Sequence, residues 1–227
     1  MGSMVSFPAN GGTVQGYLAL PPGGKGPGLI VIQEWWGLVD HIKDLCDRFA
    51  AEGYVALAPD HYHGRQTGSP DEAGKMFMAL NIAQAGTEMR AAAEYLHTHP
   101  AVSPKRVGVL GFCMGGQLAL YAAQEHGDRL SCAVDFYGVH PHVPIEPSRV
   151  KTPVLGHFGL HDNSVPVDGV KDLAARVGAA GGSLEAHFYD AGHAFFNDTR
   201  PTAYNAKAAA AAWERTLGFL KRHLGDA

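Results

Sequence analysis

The chain has 227 residues, with 18 Lys and Arg against 22 Asp and Glu, a formal net charge of −4 and 46% hydrophobic residues. That length supports one α/β domain with a full core and is short for two. The acidic balance argues against a nucleic-acid or anionic-membrane partner, and no apolar run approaches the length of a membrane span.

The first residues lack the basic-then-apolar pattern of a signal peptide. Met1-Gly2-Ser3 before Met4 reads as a cloning scar, which sets the expected domain at residues 4–227. Cys46, Cys113 and Cys132 are odd in number, widely spaced and free of any C-x-x-C pair. They point to reduced thiols in the cytoplasm rather than to a disulfide framework or a structural zinc site. No metal or cofactor is expected, and the chain is expected to be a monomer or a small homo-oligomer.

In chain order, 13–20 reads as a strand stopped by Pro21-Pro22-Gly23-Gly24, and 28–33 as a short buried strand. Leu45, Phe49 and Ala50 give 41–52 a helical face, and 54–58 is the next strand. The spacing predicts helix over 70–97 in two pieces joined near Gly86. The strand 106–110 runs directly into Gly111-Phe112-Cys113-Met114-Gly115-Gly116, followed by a helix over 117–125. Strands at 131–136 and 153–158, a helix at 167–177, a strand at 184–189 and a long helix at 203–223 complete the chain. Such alternation implies a mostly parallel central sheet with helices on both faces. Active residues of such sheets collect beyond the carboxyl ends of the strands.

The strongest motif is G-x-C-x-G at Gly111, Cys113 and Gly115. A nucleophile elbow needs a sharp strand-to-helix turn with small neighbours, which lifts its central side chain above the sheet. The backbone N–H of the next residue, Met114, then lies at a helix N-terminus, where a developing oxyanion is stabilised. With 29 glycines in the chain, chance places glycine on both sides of one of three cysteines roughly 5% of the time. An inert cysteine in a glycine-rich turn is the plainer reading, but the position between an apolar strand and a helix speaks against it.

Asp162 follows the strand 153–158 and His193 follows the strand 184–189. Alone, Asp162 is as readily a turn aspartate or a helix cap. With 13 histidines in the chain, His193 alone carries little. Together, Cys113, Asp162 and His193 fall in the nucleophile–acid–base chain order of the α/β-hydrolase triad.

Gln33-Glu34-Trp35-Trp36-Gly37, Pro59-Asp60-His61-Tyr62, the cysteine elbow, Phe136-Tyr137-Gly138 and Ala191-Gly192-His193-Ala194-Phe195 resemble the dienelactone hydrolase family. The resemblance runs from about Val5 to His223. It implies a single-domain α/β-hydrolase fold and hydrolysis of an enol-lactone formed in aromatic-compound degradation. Cys113 is then the nucleophile, His193 the base and Asp162 its orienting acid. Glu34 would hold the resting thiol and take its proton, and the N–H groups of Met114 and Trp35 would form the oxyanion hole. Independently, a carboxylate at the end of a buried strand beside two tryptophans is costly unless paired or protonated.

The chain departs from the family in its cations. Family members that bind the dienelactone carboxylate use an arginine in the helical insertion after the third strand and another four residues beyond the catalytic histidine. Here no arginine lies between Arg65 and Arg90, and Asn197 holds the second position. Lys75 and Arg200 are the nearby alternatives, and weak preference for a free carboxylate is expected. Trp36, Tyr137 and Phe195 are candidate substrate-binding residues. The pairs His61/His63 and His140/His142 lack a convincing third metal ligand and read as rim or surface histidines. Cys46 and Cys132 read as small core residues.

The expected function is cleavage of an activated ester or lactone through a thioester on Cys113. A thiol redox sensor or a non-catalytic binder on a hydrolase scaffold is the alternative. The aligned acid and base favour the enzyme.

Overall fold

The computed structural model describes residues 1–9 and 11–225; Asn10 and the last two residues of the expected domain, Asp226 and Ala227, lie outside them. Eight strands form one sheet: β1 Ser3–Ala9, β2 Gly12–Ala19, β3 Gly26–Ile32, β4 Val55–Pro59, β5 Val102–Phe112, β6 Cys132–Phe136, β7 Val154–Gly159 and β8 Leu184–Tyr189. Six helices accompany them: α1 Asp40–Ala51, α2 Pro70–Met78, α3 Ile82–Thr98, α4 Met114–Glu125, α5 Val167–Ala179 and α6 Ala206–Leu224. The strand order is β1-β2-β4-β3-β5-β6-β7-β8. β4 to β8 and β3 are parallel, and the β1–β2 hairpin is antiparallel at one edge.

Period-two alternation divides the core. Leu29 and Val31 of β3 pack with α1 and α6 through residues such as Leu45, Phe49, Ala212 and Leu220. Ile30 and Ile32 face the other layer, with Met89 and Leu96 of α3 and Leu118 of α4. Every residue of β3, β4, β6 and β7 is buried. That is the outcome expected of short apolar strands covered on both faces.

Two features differ from the sequence expectation. β1 begins at Ser3, and the Gly2 N–H donates to Tyr17 Oη at 2.7 Å and Asp47 Oδ1 at 2.8 Å, so the start of the chain is joined to the domain. The break between α2 and α3 lies at residues 79–81 rather than near Gly86. Asn81 caps α3 by accepting from the Gln84 N–H at 3.1 Å. Gly86 sits inside α3 for a packing reason: a Cβ there would stand 2.8 Å from the Tyr121 ring of α4.

The connection from β3 through α1 runs to β4 on one side, and the next returns to β5 on the other. β3 and β5 therefore flank the topological switch point, where crevices open in sheets of this kind.

Candidate active site

The turn after β5 has little room. A Cβ on Gly111 would collide with the Gly115 carbonyl, and one on Gly115 would stand 2.5 Å from the carbonyls of Ile32 and Gln33. Between them Cys113 takes φ 55° and ψ −116°, a conformation that L-residues rarely adopt. Its N–H donates to the Phe136 carbonyl at 2.9 Å, and its carbonyl accepts from Gly116 and Gln117 as α4 begins. The side chain is half-buried at the wall of a cavity of about 460 Å³. Met114 opens α4, so its N–H belongs to the first turn, where amides lack helical acceptors.

Asp162 satisfies both readings considered for it. Oδ1 accepts from the N–H groups of Ser164 at 2.8 Å and Val165 at 3.1 Å, a turn role. Oδ2 accepts from His193 Nδ1 at 2.6 Å. The Asp162 side chain is fully buried, whereas His193 stays partly open to the cavity. Burial is the largest influence on the His193 ring and works against its charge. The hydrogen bond and charge of Asp162, with the neighbouring Cys113 side chain, outweigh burial and push the pKa up to about 10.

Glu34 follows β3 and is 1% exposed. Burial raises its carboxyl above the usual range, opposed by a hydrogen bond from Asn197 and by the charges of His193 and Arg200. Asn197 Nδ2 donates to Glu34 Oε2 at 2.8 Å. The Glu34 carboxyl is thus hydrogen-bonded to Asn197.

Cys113, Met114, Glu34, Trp35, Trp36, Tyr137 and His193 all line the cavity. Phe195 does not. It is fully buried, packs on Tyr137 at 5.4 Å and Tyr189 at 5.1 Å, and backs the wall from behind. Ala194, its neighbour in the chain, lines the cavity with His193. Four lining residues were not expected from the sequence: Phe77, Val139, Ser164 and Val165. No motif marks them: Phe77 comes from α2, and the other three from the loops after β6 and β7.

Of the two cations, Arg200 lines the cavity, with Cζ 3.8 Å from the centre of the Trp36 ring. His140 also lines it, its ring tilted against that of Phe77 at 5.0 Å. His61 is not a rim residue: it is 2% exposed and meets Glu88 through Nδ1 at 3.1 Å. Among the described residues no group of three or more His, Cys, Asp or Glu could hold a metal ion. Cys46 and Cys132 are buried, and burial raises both thiols, Cys132 to about 12. They lack the exposure that Cys113 has. No helix is long and apolar enough to cross a membrane, among the described residues.

A half-exposed thiol on a strained elbow, beside an imidazole fixed by a buried carboxylate, can attack an electrophilic carbon and exchange a proton with the leaving group. The chain is similar to known proteins over nearly its whole length. The model of the "Dienelactone hydrolase family" matches residues 14–224. "Protein usf" of Aquifex pyrophilus is 39% identical, covering 99% of this chain and all of that one. The "Putative carboxymethylenebutenolidase" of Aquifex aeolicus is 36% identical, again over 99% of this chain and 100% of the relative. The solved "Putative Dienelactone Hydrolase from Klebsiella pneumoniae" superimposes with a TM-score of 0.87 at 30% identity over 98% of each chain. The dienelactone hydrolase-like phosphotriesterase P91, at 23% identity and TM-score 0.86, shares the fold over 99% of each chain. The chain belongs to the dienelactone hydrolase family.

Proposed function

We propose that this protein hydrolyses activated carboxylic esters and enol-lactones in the cytoplasm through Cys113, with His193 and Asp162 completing a triad. The observation that carries the reading is the 2.6 Å hydrogen bond between Asp162 and His193, with His193 and Cys113 lining the same cavity. A sensor cysteine has no need of an imidazole oriented by a buried acid.

The Cys113 sulfur attacks the ester carbon, and the carbonyl oxygen takes the negative charge. The N–H groups of Met114 and Trp35 receive that oxygen. His193, protonated at neutral pH, gives its proton to the departing oxygen as the carbon–oxygen bond breaks, which leaves a thioester. Neutral His193, aligned by Asp162, then takes a proton from water as the water oxygen attacks the thioester carbon; the carbon–sulfur bond breaks, which releases the acid and returns the Cys113 thiolate. Burial makes the Glu34 carboxylate a stronger base, and it is the second group available for the thiol proton. An unperturbed thiol has a pKa of about 8.5, so thiolate is a better leaving group than a simple alkoxide. Enolates and phenolates depart forward, whereas alkyl esters revert. Arg200, whose guanidinium reaches the cavity from outside the family's arginine positions, supplies the cation for an anionic substituent.

The test is turnover of chromogenic aryl esters and an enol-lactone by the wild-type protein, by the protein treated with a thiol alkylator, and by Cys113→Ala. Turnover lost in the latter two is expected. Turnover retained in Cys113→Ala refutes the assignment. Reversible oxidation of Cys113 without hydrolysis of any ester points instead to a sensor.

A further inference from the structure

Among the described residues that line the cavity, Tyr137 alone has a buried side-chain polar atom without a partner. Its side chain is 1% exposed, and its hydroxyl makes no hydrogen bond. A buried donor left without an acceptor is destabilising, and native proteins rarely retain one without a use for it.

The surroundings hold Tyr137 in place. Its φ of 47° is unfavourable for an aromatic residue. That conformation is pinned by its own N–H, which donates to the His157 carbonyl at 2.8 Å, and by the Gly138 N–H, which donates to Asp135 Oδ1 at 2.8 Å. The ring stands edge-on to His193 at 5.2 Å and to Phe195 at 5.4 Å. Burial, then the charges of Glu34, Cys113, Asp162 and Asp135, raise the phenol well above its ordinary pKa. The hydroxyl therefore keeps its proton while chemistry occurs beside it, and acts as a hydrogen-bond donor rather than as an acid or base.

An ester offers two oxygens. The carbonyl oxygen is already served by the amides of Met114 and Trp35 in the reading above, on which this inference rests. We propose that Tyr137 is a further catalytic residue, whose hydroxyl donates a hydrogen bond to the leaving-group oxygen beside His193. When the tetrahedral adduct collapses, the carbon–oxygen bond breaks and its electron pair stays on the departing oxygen. The His193 proton moves to that oxygen, while the Tyr137 proton remains on the phenol and stabilises the developing charge. The benefit grows as the leaving group becomes more basic, so Tyr137 widens the class of esters that a thiol nucleophile can turn over.

The test is Tyr137→Phe, which keeps the ring and its contacts, assayed on phenyl acetates whose phenols span a range of pKa. Removing one preorganised donor is expected to lower kcat about 100-fold on the least acidic phenols and only a few-fold on nitrophenols. KM should change little, and the dependence of rate on leaving-group pKa should steepen. An unchanged rate, or an equal loss across the series, overturns the proposal. Wild-type protein with fluorotyrosine in place of tyrosine gives a second reading if Tyr137→Phe does not fold. Its stronger phenol donor should flatten the same dependence, with fluorotyrosine-labelled Tyr137→Phe, where it folds, as the control; an unchanged slope overturns the proposal. Wild type active, Cys113→Ala inactive and Tyr137→Phe equal to wild type removes this inference alone. An inactive wild type removes both it and the ester-hydrolase reading.

Discussion

Asn197 donates its side-chain amide to Glu34 at 2.8 Å, joining residues 163 positions apart in a buried contact. Asn197 stands four residues beyond His193, where carboxylate-binding relatives are expected to carry arginine. A neutral amide leaves the Glu34 charge only partly compensated, and burial then dominates its titration.

Glu34→Gln is expected to stabilise the fold at neutral pH. The Glu34 carboxyl binds its proton more tightly folded than unfolded. Its contribution is therefore most favourable below the unfolded value, near pH 4.5, and is lost as pH rises through the folded pKa. Gln cannot ionise and still accepts from Asn197. Urea unfolding at pH 4.5 and pH 7 should show the variant gaining on wild type by about 1 kcal/mol or more at the higher pH. A gain of the same size at both pH values would contradict this account.

Asp162→Asn should alter the pH profile as well as the rate. In the folded protein His193 keeps its proton up to about pH 10. The wild-type acylation rate should therefore fall on an alkaline limb near that pH, since the departing oxygen needs the proton. The substitution removes the charge, and with the amide oxygen held by the Ser164 and Val165 N–H groups it turns a donor nitrogen toward the ring, so the limb should move to lower pH. The plateau rate should drop about 100- to 10,000-fold. The check is kcat/KM for an aryl ester between pH 6 and 11; a limb that stays in place would separate Asp162 from the titration.

Cys113→Gly should abolish turnover and raise stability. The backbone at Cys113 lies at φ 55° and ψ −116°, and strain of this kind costs about 1–3 kcal/mol in an L-residue. Glycine adopts it freely and loses only the packing of a half-buried thiol. Thermal unfolding should show a higher Tm than for Cys113→Ala, which retains the strain. Gly115→Ala should do the reverse, because its Cβ would stand 2.5 Å from two backbone carbonyls of the β3 end; about 3 kcal/mol or more of destabilisation is expected.

Arg200→Gln should discriminate between substrates. The missing family arginines suggest weak preference for a carboxylate, yet Arg200 lines the cavity and lies 3.8 Å over Trp36. Stacked and partly enclosed, the guanidinium attracts an anionic substituent more strongly than an exposed cation does. The variant should raise KM for a carboxylated lactone about tenfold, or about 1.4 kcal/mol, with a neutral analogue nearly unaffected. Equal effects on both would assign Arg200 to the packing of Trp36.

The amino-acid sequence by itself determined what depends on neighbours along the chain. Apolar runs specify the buried strands from β2 onward, and β8 spans Leu184–Tyr189 as read from the sequence. Gly111 and Gly115 specify the elbow, because only glycine fits those contacts. The chain order of Cys113, Asp162 and His193, after β5, β7 and β8, anticipates their shared edge, since a parallel sheet aligns all its carboxyl ends on one edge. Contacts whose partners lie far apart in sequence, or whose direction depends on a loop, were decided only by the tertiary structure. The β1 strand is defined by pairing with β2, not by its composition. Arg200 enters the cavity and Phe195 leaves it because turns after β8 set their directions, which no periodicity encodes. The pairing of Glu34 with Asn197, and the unpartnered hydroxyl of Tyr137, follow from the same cause: burial and hydrogen-bond satisfaction belong to the packed chain, and a residue's identity fixes only what it is able to donate or accept.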